Sequence, residues 1–274
     1  MFVREKVIKA ILDSGENFMS GEQLSKKLGI SRTAVWKHIN ALREEGYNIE
    51  SVNKKGYRLA EKPDDILSSE NIAYNLPTEF IGKKVIHLDT VGSTNDYAKE
   101  IGNKVSGGTL IISEQQTKGK GRLGRVWKSK SGDGIWMSLI IKPKIEPYKA
   151  PFLTLVAGAS VVKALSNLDV EASIKWPNDI IVHNKKICGI LTELSAEMER
   201  VNYVVIGIGI NIKTIDFPDE IKEKATSLYK EGYKLSRVDI VRQFCIEFEK
   251  LYKGYILDGN KQDTLELCRK YSAI

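Results

Sequence analysis

Residues 20–44, SGEQLSKKLGISRTAVWKHINALRE, have the pattern of two short helices joined by a tight turn. Ser20 is followed three residues later by Gln23, and this capping-box spacing opens the first helix. Gly29 ends that helix, because glycine tolerates the left-handed conformation of a helix cap. Ser31 opens the second helix, and the spacing as a whole predicts a helix-turn-helix. The apolar stripe of the second helix consists of Ala34, Val35, Ile39 and Leu42.

The segments on both sides of the helix-turn-helix extend this pattern. Residues 2–12 place apolar side chains at helical spacing and predict a preceding helix. Residues 47–52 and 57–59 have the pattern of two short strands, and the basic turn 53–56 joins them as a hairpin. Three helices followed by a basic hairpin predict a winged helix-turn-helix domain over residues 1–62.

The excess positive charge of the chain is concentrated in this N-terminal domain. The formal net charge is +7, and residues 1–62 hold 12 Lys or Arg against 8 Asp or Glu, a net charge of +4. This asymmetry favours an anionic partner, nucleic acid first. Side chains suited to base edges and phosphates follow at the start of the third helix and at the hairpin tip. We predict DNA contacts by Ser31, Arg32, Thr33, Trp36, Lys37, Lys54 and Lys55. The alternative is a winged helix that serves protein contact or dimerisation.

Length and composition predict a globular protein of two domains. The chain has 274 residues, of which 42% are hydrophobic and 28% charged, which excludes widespread disorder and a disulfide scaffold. The longest apolar stretch, 203–212, is shorter than the roughly 20 residues of a membrane helix, and the N-terminus has no signal-peptide pattern. Three scattered cysteines without metal-ligand spacing favour free thiols. We therefore expect a cytoplasmic protein with no membrane partner.

A polar, proline-containing stretch at 61–65 predicts the domain boundary. The remaining residues, 63–274, have the pattern of an α+β or mixed α/β domain. Strands are expected at 84–88, 109–113, 134–141, 172–175, 180–183, 186–193 and 203–211, and helices at 93–101, 150–168 and 238–257.

The segment GKGRLGR at 119–125 is the clearest indication of a ligand-binding site in the sequence. Three glycines and three cations share seven residues, so that backbone N–H groups and guanidinium groups can approach one anion. The segment is not a Walker A loop, because Arg125 and Val126 follow Gly124 where Lys and Ser or Thr are required. Anion binding is the favoured interpretation, and a flexible surface turn is the alternative.

Three further segments carry weaker signals. Residues 175–179 combine a cation, a proline turn and a carboxylate, which can position a phosphate with its Mg²⁺ or form an ordinary turn. Lys186 begins a predicted strand and is either a site cation or a surface lysine. Gly207 and Gly209 bare one face of an apolar strand, which either admits a flat ligand or permits close packing.

Together and in this order, the segments resemble the biotin–protein ligases. The motifs that carry the resemblance are GSTN at 92–95, QTKGKGRLGRVW at 116–127, KWPND at 175–179, KICGIL at 186–191 and GIGIN at 207–211. With the winged helix in front, the chain is similar to the bifunctional class, in which one chain is biotin ligase and biotin-operon repressor. The resemblance covers essentially all of residues 1–270. It implies an α+β fold, with a winged helix-turn-helix at 1–62 and a mixed-sheet, class II synthetase-like catalytic domain at 63–274.

The resemblance implies an ATP-dependent ligase. Biotin and ATP form biotinyl-5′-adenylate, pyrophosphate leaves, and biotin passes to one lysine of a biotin carboxyl carrier protein. The implied cofactors are biotin, ATP and Mg²⁺. The bound adenylate is expected to promote a homodimer whose two winged helices bind a two-fold operator, which couples ligation to biotin-responsive repression.

The resemblance also implies roles for individual residues. Arg122 and Lys186 are the implied catalytic residues, because cations must neutralise a carboxylate and an α-phosphate that approach each other. Ser93, Thr94 and Gln116 are implied to hydrogen-bond the ureido end of biotin. The implied ligand-binding set is Ser93, Thr94, Asn95, Gln116, Gly119, Lys120, Gly121, Arg122, Trp127, Asn178, Asp179, Lys186, Gly189 and Asn211, without a protein metal site. Residues 213–226 match the segment that covers the adenylate.

Two features depart from the family pattern. Lys120 stands where many relatives have arginine, which keeps the charge but loses the bidentate fork. The small β-barrel cap that usually follows the central domain would begin at residues 271–274, so we expect the cap to be absent or truncated. The alternatives are a biotin-sensing repressor without effective ligase activity, a lipoate or octanoyl transferase of the same central fold, and a ligase whose winged helix does not bind DNA.

Overall fold

The computed structural model describes residues 3–61 and 65–273. The chain forms two compact units, Met1–Tyr74 and Asn75–Ile274. The domain boundary predicted between residues 62 and 63 lies outside the described residues, and the first unit extends past it.

The first unit contains three helices, a hairpin and a short fourth helix. Its elements are α1 (Val3–Asp13), α2 (Gly21–Leu28), α3 (Arg32–Glu44), β1 (Ile49–Val52), β2 (Gly56–Leu59) and α4 (Ser69–Ala73). β1 and β2 pair antiparallel. β1 begins two residues later than residue 47, because the Tyr47 N–H donates to Leu42 O at 3.0 Å and continues the turn that ends α3. The winged helix-turn-helix arrangement predicted from the sequence is present.

Side-chain caps fix where α2 and α3 begin. Ser20 Oγ accepts from the Gln23 N–H at 3.1 Å, and Gln23 Oε1 accepts from the Ser20 N–H at 2.7 Å, which completes the capping box. Ser31 Oγ accepts from the Ala34 N–H at 3.1 Å. Gly29 has a φ of 67°, the left-handed conformation that ends α2. The turn of the helix-turn-helix is therefore defined by the residues that predicted it.

α4 ties the end of the first unit to its core. Tyr74 Oη donates to Leu12 O at 2.7 Å, and Tyr47 Oη lies 2.9 Å from Ser68 Oγ. Burial raises the pKa of Tyr47 to about 12, so the phenol stays neutral as a hydrogen-bonding group. These contacts explain why the compact unit continues to Tyr74.

The second unit is built on one mixed sheet with helices packed on it. Its strands are β3 (Val85–Val91), β4 (Thr109–Gln116), β5 (Gly134–Ile141), β6 (Ser173–Lys175), β7 (Asp179–Val182), β8 (Lys185–Ala196) and β9 (Val201–Asn211). Its helices are α5 (Thr94–Ile101), α6 (Phe152–Ser166), α7 (Arg237–Leu257) and α8 (Gln262–Lys270). The strand order is β3-β4-β5-β9-β8-β7-β6.

The sheet topology brings distant polar segments to one place. β3 and β4 run parallel, and each of the other neighbouring pairs is antiparallel. A parallel pair needs a crossover connection, which α5 supplies. The turn between β3 and α5 therefore lies beside the end of β4. At the opposite edge of the sheet, the Ile174 N–H donates to Tyr271 O at 2.7 Å, so the last described residues pair with β6.

α6 is the central helix of the second unit. It packs against α7, α8 and the strands β6, β7 and β8. The residues of α6 itself are mostly apolar, without a distinct polar face. Residues Pro147–Ser166 are long and apolar enough to cross a membrane by length and composition alone, but 61% of the tested stretch is buried inside the protein. A helix buried in a protein core has the same composition, so the packing of α6 accounts for its apolar character.

A partly buried ion pair joins the start of α7 to β4. Arg237 is 6% exposed, and its Nη1 lies 2.7 Å from Glu114 Oε2. Burial alone would raise the pKa of Glu114, but His87 and the Arg237 guanidinium lower the pKa to about 2. His87 Nε2 lies 3.8 Å from Glu114 Oε1, too far for a hydrogen bond. Arg237 is therefore the closer partner.

We expect Glu114→Gln to destabilise the protein most strongly at neutral pH. The pKa of Glu114 is about 2 in the folded chain against the ordinary 4.5. The carboxylate therefore contributes stability above about pH 4.5, and this contribution is lost as the pH falls towards 2. The expected loss in unfolding free energy is about 3 kcal/mol at about pH 7 and less than half of that at about pH 3.

Urea unfolding at both pH values measures this difference. Glu79→Gln is the control, because Glu79 is 79% exposed where it pairs with Lys253, and its loss should stay below about 1 kcal/mol. An equal loss for Glu114→Gln at both pH values would contradict the role of the partly buried ion pair.

Candidate functional site

A polar floor lies where the β3–α5 turn meets the end of β4. Ser93 caps α5, and its Oγ accepts from the Asp96 N–H at 3.4 Å. Gln116 Oε1 accepts from the Thr94 N–H at 2.8 Å and from Thr94 Oγ1 at 3.0 Å. Gln116 Nε2 donates to Ser129 Oγ at 2.8 Å. Because the backbone N–H of Thr94 can only donate, the amide oxygen of Gln116 is fixed towards it.

The glycine-rich loop has a defined conformation. The Trp127 N–H donates to Gly119 O at 2.9 Å, and the Gly121 N–H donates to Arg125 O at 2.7 Å, so the loop closes on itself. A Cβ at Gly119 would lie 2.3 Å from Trp127 O, so a side chain cannot be accommodated there. Leu123 lies at the tip, 90% exposed and with a φ of 56°.

The cations of the predicted site each contact a polar side chain. The three contacts are Arg122 Nη1 to Asn178 Oδ1 at 2.5 Å, Lys120 Nζ to Asp96 Oδ2 at 2.7 Å and Lys186 Nζ to Asp179 Oδ1 at 2.7 Å. Burial alone would raise the pKa of Asp96, but hydrogen bonds from Lys120 and Lys99 hold it below its usual value. The cations are therefore already placed beside the pocket, with partners that an anionic ligand can replace.

The glycines of β8 and β9 accommodate side chains of the chain itself. A Cβ at Gly189 or Gly209 would come within 2.8 or 2.6 Å of the Trp127 ring. A Cβ at Gly207 would lie 2.2 Å from Asn95 Oδ1. Gly207 and Gly209 also line the pocket, so close packing and a place beside the pocket occur together at these two positions. Lys186 Nζ lies 5.2 Å from the centroid of the same indole ring.

Part of the segment 213–236 pairs with β8 at Lys186, a residue that lines the pocket. The Lys186 N–H donates to Lys224 O at 2.8 Å, and the Thr226 N–H donates to Lys186 O at 2.9 Å. Asn211 Nδ2 donates to Thr226 O at 3.1 Å. The backbone of Lys186 thus holds this segment, while its side chain lines the pocket.

One pocket gathers most of the predicted ligand-binding residues. It encloses about 460 Å³ of empty space, part of which is open to solvent. The predicted residues that line it are Ser93, Thr94, Asn95, Gln116, Lys120, Gly121, Arg122, Trp127, Asn178, Lys186 and Gly189. Of the remaining three, Gly119 and Asp179 contact the lining residues Trp127 and Lys186. Asn211 contacts Thr226, which is not among the lining residues.

Sequence reasoning missed the apolar walls of the pocket. These walls are formed by Met137, Ile190, Leu191 and Ile208. They belong to β5 and β9, which are apolar at nearly every position, and to the apolar stretch 187–191 of β8. A continuous apolar strand gives no local signal for the face that lines a cavity. These apolar side chains lie on the strands between β4, which carries Gln116 of the polar floor, and β7, which carries Asp179, the partner of Lys186.

In the first unit, the candidate DNA contacts are exposed. They are Ser31, Arg32, Thr33, Trp36 and Lys37 on α3 and Lys54 and Lys55 at the hairpin turn. Two other arginines of this unit have structural partners. Arg43 Nη2 donates to Ile49 O at 2.7 Å, and Arg58 pairs with Glu50. Exposed cations therefore lie at the start of α3 and at the tip of the hairpin, as well as on α1 and α2.

Comparison with known proteins agrees with both units. Residues 88–211 match the Biotin/lipoate A/B protein ligase family, and residues 3–58 match an HTH domain. The chain is 46% identical over 262 residues to the bifunctional ligase/repressor BirA of Bacillus spizizenii, covering 94% of this chain and 80% of the relative. The chain belongs to the family of bifunctional biotin–protein ligase/repressors.

Other members of the family, and solved ligases, support the assignment. The bifunctional ligase/repressor BirA of Escherichia coli K12 is 37% identical over 230 residues, covering 83% of this chain and 70% of the relative. The biotin protein ligase from Aquifex aeolicus, solved in complex with biotin and ATP, gives a TM-score of 0.61 at 33% identity and covers 70% of this chain and 79% of that chain. Membership of the family confirms the resemblance, the fold class and the enzyme class predicted from the sequence.

Proposed function

We propose that the second unit joins biotin and ATP into biotinyl-5′-adenylate and transfers biotin to a lysine of a biotin carboxyl carrier protein. The observation that carries this proposal is the order of surfaces in the pocket. Thr94 and Gln116 supply a hydrogen-bonding floor, apolar strand residues supply the walls, and Arg122 and Lys186 supply positive charge. A ureido ring, an aliphatic chain and a carboxylate match these surfaces in the same order.

The first step is a substitution at phosphorus. A carboxylate oxygen of biotin bonds to the α-phosphorus of ATP, and the bond from that phosphorus to the bridging oxygen breaks, so that pyrophosphate leaves with the electron pair. Both reactants are anionic, and positive charge beside them lowers the barrier. Lys186 and Arg122 are placed to exchange Asp179 and Asn178 for phosphate or carboxylate oxygens.

The second step transfers the acyl group. The amine of the acceptor lysine bonds to the acyl carbon, AMP leaves with the electron pair of the broken C–O bond, and the amine gives up a proton. The mixed anhydride must be kept from water between the two steps. Lys120, Gly121 and Arg122 of the glycine-rich loop line the pocket, and residues 213–226 match the family segment that covers the adenylate, so we expect these two segments to exclude water.

Mg²⁺ fits this site as a companion of the triphosphate. The described residues contain no group of three or more His, Cys, Asp or Glu side chains that can hold a metal ion. Asp179 is the carboxylate beside the pocket cation Lys186, and Mg²⁺ is commonly held by one or two carboxylates together with substrate phosphates. We therefore assign Asp179 as the protein ligand available to Mg²⁺, which when bound would neutralise charge on the phosphates.

The decisive experiment is ATP- and biotin-dependent labelling of a biotin carboxyl carrier domain by the 274-residue chain, with pyrophosphate release followed in parallel. Labelled carrier together with pyrophosphate supports the proposal. Biotin binding without pyrophosphate release would contradict it and favour the alternative, a biotin-sensing repressor without effective ligase activity.

We also propose that the first unit binds operator DNA in the cytoplasm and that bound biotinyl-5′-adenylate promotes a homodimer. The exposed cations of α3 and of the hairpin support DNA contact. A two-fold dimer presents two recognition helices to a two-fold operator. Ligand-linked dimerisation requires that the adenylate bind the dimer more tightly than the monomer.

We expect Arg32→Ala to weaken operator binding about 5- to 50-fold, because Arg32 is an exposed cation at the first residue of α3. Ligation should keep its rate, because the pocket belongs to the second unit. Titration of fluorescent operator DNA at fixed salt measures the change. Lys9→Ala, which removes an exposed cation from α1, is the charge-matched control. Equal operator affinity of the wild type and Arg32→Ala would exclude α3 as the recognition helix.

A further inference from the structure

A buried serine lies directly behind the polar floor of the pocket. Ser138, in the middle of β5, is completely buried. Its Oγ lies 2.8 Å from Thr94 Oγ1 and 2.6 Å from Asn95 Oδ1. Both partners line the pocket, whereas Ser138 reaches the pocket only through them. A hydroxyl has one proton, so Ser138 can donate to only one of these two oxygens.

The side-chain amide of Asn95 decides which neighbour receives the Ser138 proton. Asn95 Nδ2 donates to Glu193 Oε2 at 2.7 Å and to Leu191 O at 3.3 Å. Both of these oxygens can only accept, so the nitrogen of the amide must face them and Oδ1 must face Ser138. Lys99 Nζ lies 2.6 Å from Glu193 Oε1, and this hydrogen bond raises the pKa of Lys99. The Lys99–Glu193 pair therefore holds an acceptor-only group against Asn95.

The orientation of the Asn95 amide determines the orientation of the hydrogen bonds at the pocket floor. Because Asn95 Oδ1 can only accept, the hydroxyl proton of Ser138 points to it, and Ser138 Oγ is left as an acceptor that competes with Gln116 Oε1 for the hydroxyl proton of Thr94. Gln116 is fixed from the other end, since its Nε2 donates to Ser129 Oγ and Ser129 donates to a backbone oxygen at 3.2 Å. The network thus has acceptor-only groups at both of its ends.

The result is a floor that offers acceptors to a ligand. Thr94 has one hydroxyl proton, which goes to Ser138 or to Gln116, and in both cases Thr94 Oγ1 and Gln116 Oε1 keep unshared electron pairs. A ligand that brings N–H groups pairs with them. A head group without donors leaves both oxygens desolvated and unpaired, which disfavours binding.

We propose that Ser138 and the Lys99–Glu193 pair are positioning residues that make the pocket specific for a cyclic urea over an apolar ring of similar size. They act through Asn95 and Thr94 and need not touch the ligand. This inference rests on the proposed function and adds the physical basis of its substrate selectivity. It addresses a choice that the family itself contains, because the matching family includes both biotin and lipoate ligases.

The test compares two serines that are equally buried. Ser138→Ala removes the hydroxyl from the network, and Ser160→Ala removes one from α6, where Ser160 is also completely buried and donates to Val156 O at 2.6 Å. The full chain is titrated with biotin, with desthiobiotin, which keeps the urea ring but lacks the sulfur ring, and with lipoate, whose dithiolane ring has no N–H group.

Ser138→Ala should raise the Kd for biotin and for desthiobiotin by the same factor, roughly 10- to 100-fold. The Kd for lipoate should stay constant, so the preference for biotin over lipoate falls by that factor. The KM for biotin should rise while kcat at saturating biotin is retained. Ser160→Ala should change none of these quantities. A Ser138→Ala protein with unchanged biotin affinity, or with equal weakening of biotin and lipoate, would overturn the inference.

A second variant tests whether the Lys99–Glu193 pair orients the side-chain amide of Asn95. Glu193→Gln replaces an acceptor-only group by an amide, which lets Asn95 face either way, and should weaken biotin binding by roughly 3- to 10-fold. Glu197→Gln, on the exposed turn after β8, is the matched control. Unchanged biotin affinity in Glu193→Gln would exclude the Lys99–Glu193 pair as the anchor. Failure of the wild type to bind biotin would instead overturn the proposed function itself, so the two failures are distinguishable.

Discussion

Lys186→Ala is expected to lower the rate of pyrophosphate release by roughly two to three orders of magnitude, which is the usual loss when a group that stabilises charge in a transition state is removed. Lys186 Nζ lies at the pocket wall, 2.7 Å from Asp179 Oδ1. Its removal takes a positive charge from the place where two anions must meet. It also leaves the Asp179 carboxylate without its partner, so the remaining charge at the wall repels the incoming phosphate.

The neighbouring residue provides a control for this variant. Lys185→Ala changes the net charge equally, also in β8, but Lys185 is outside the predicted ligand-binding set. Its pyrophosphate release should stay within about two-fold of the wild type. Biotin-dependent pyrophosphate release is measured for both variants at saturating ATP. A wild-type rate in Lys186→Ala would refute the assignment of Lys186 as a catalytic residue.

Arg122→Gly is expected to let the activated biotin escape. Arg122 projects from the glycine-rich loop and reaches across to Asn178 Oδ1 at 2.5 Å. In the proposed reaction the guanidinium holds the carboxylate and the α-phosphate by charge-assisted hydrogen bonds, and loss of such bonds shortens the lifetime of the bound adenylate by roughly 10- to 100-fold. Free adenylate acylates exposed lysines of any protein. Biotin should therefore appear on an added bystander protein.

The same loop contains a matched control for the escape experiment. Arg125→Gly changes the same residue type three positions away, and Arg125 contacts Gly121 and Arg122 through its backbone. Labelling of the bystander protein, measured by blotting with streptavidin, should rise at least roughly 10-fold above wild type for Arg122→Gly only. Unlabelled bystander protein together with normal acceptor turnover would show that Arg122 does not retain the adenylate.

The elements that the sequence predicted well have local signals. α2 begins at Gly21 and ends at Leu28 because a capping box and a left-handed glycine fix its ends. β5 has the predicted bounds, Gly134–Ile141, because all eight of its residues are buried and turns flank it. α4 and α8 were not predicted, since each is short and largely polar, and α4 is held by contacts with residues far away in the sequence.

Strand ends were predicted less well than strand centres. β8 was expected at 186–193 and extends over Lys185–Ala196. The additional residues beyond 193 include Ser195 and Ala196, which pair with β9 at the more exposed end of β8. Backbone pairing in such a region does not depend on apolar side chains, so periodicity cannot detect it.

The residues of the candidate site also divide into those with a local sequence signal and those without one. The glycine-rich loop, Lys186 and the β3–α5 turn have unusual local compositions, and the sequence could single them out. Ser138 has no such signal, because it stands within an apolar strand and its partners are 43 and 44 positions away in the chain. Only the register of β5 against its neighbours, together with the placement of α5, brings these three side chains together.

The pairing of Lys186 with residues 224 and 226 links the charge at the pocket to a segment that follows β9. Two backbone hydrogen bonds join this one residue to that segment, and the same residue carries the ammonium group at the pocket wall. Lys186 is also paired with Ile181 of β7, so its backbone is held from two sides. A shift of the segment would therefore act on the backbone of the residue whose ammonium group faces the incoming anions.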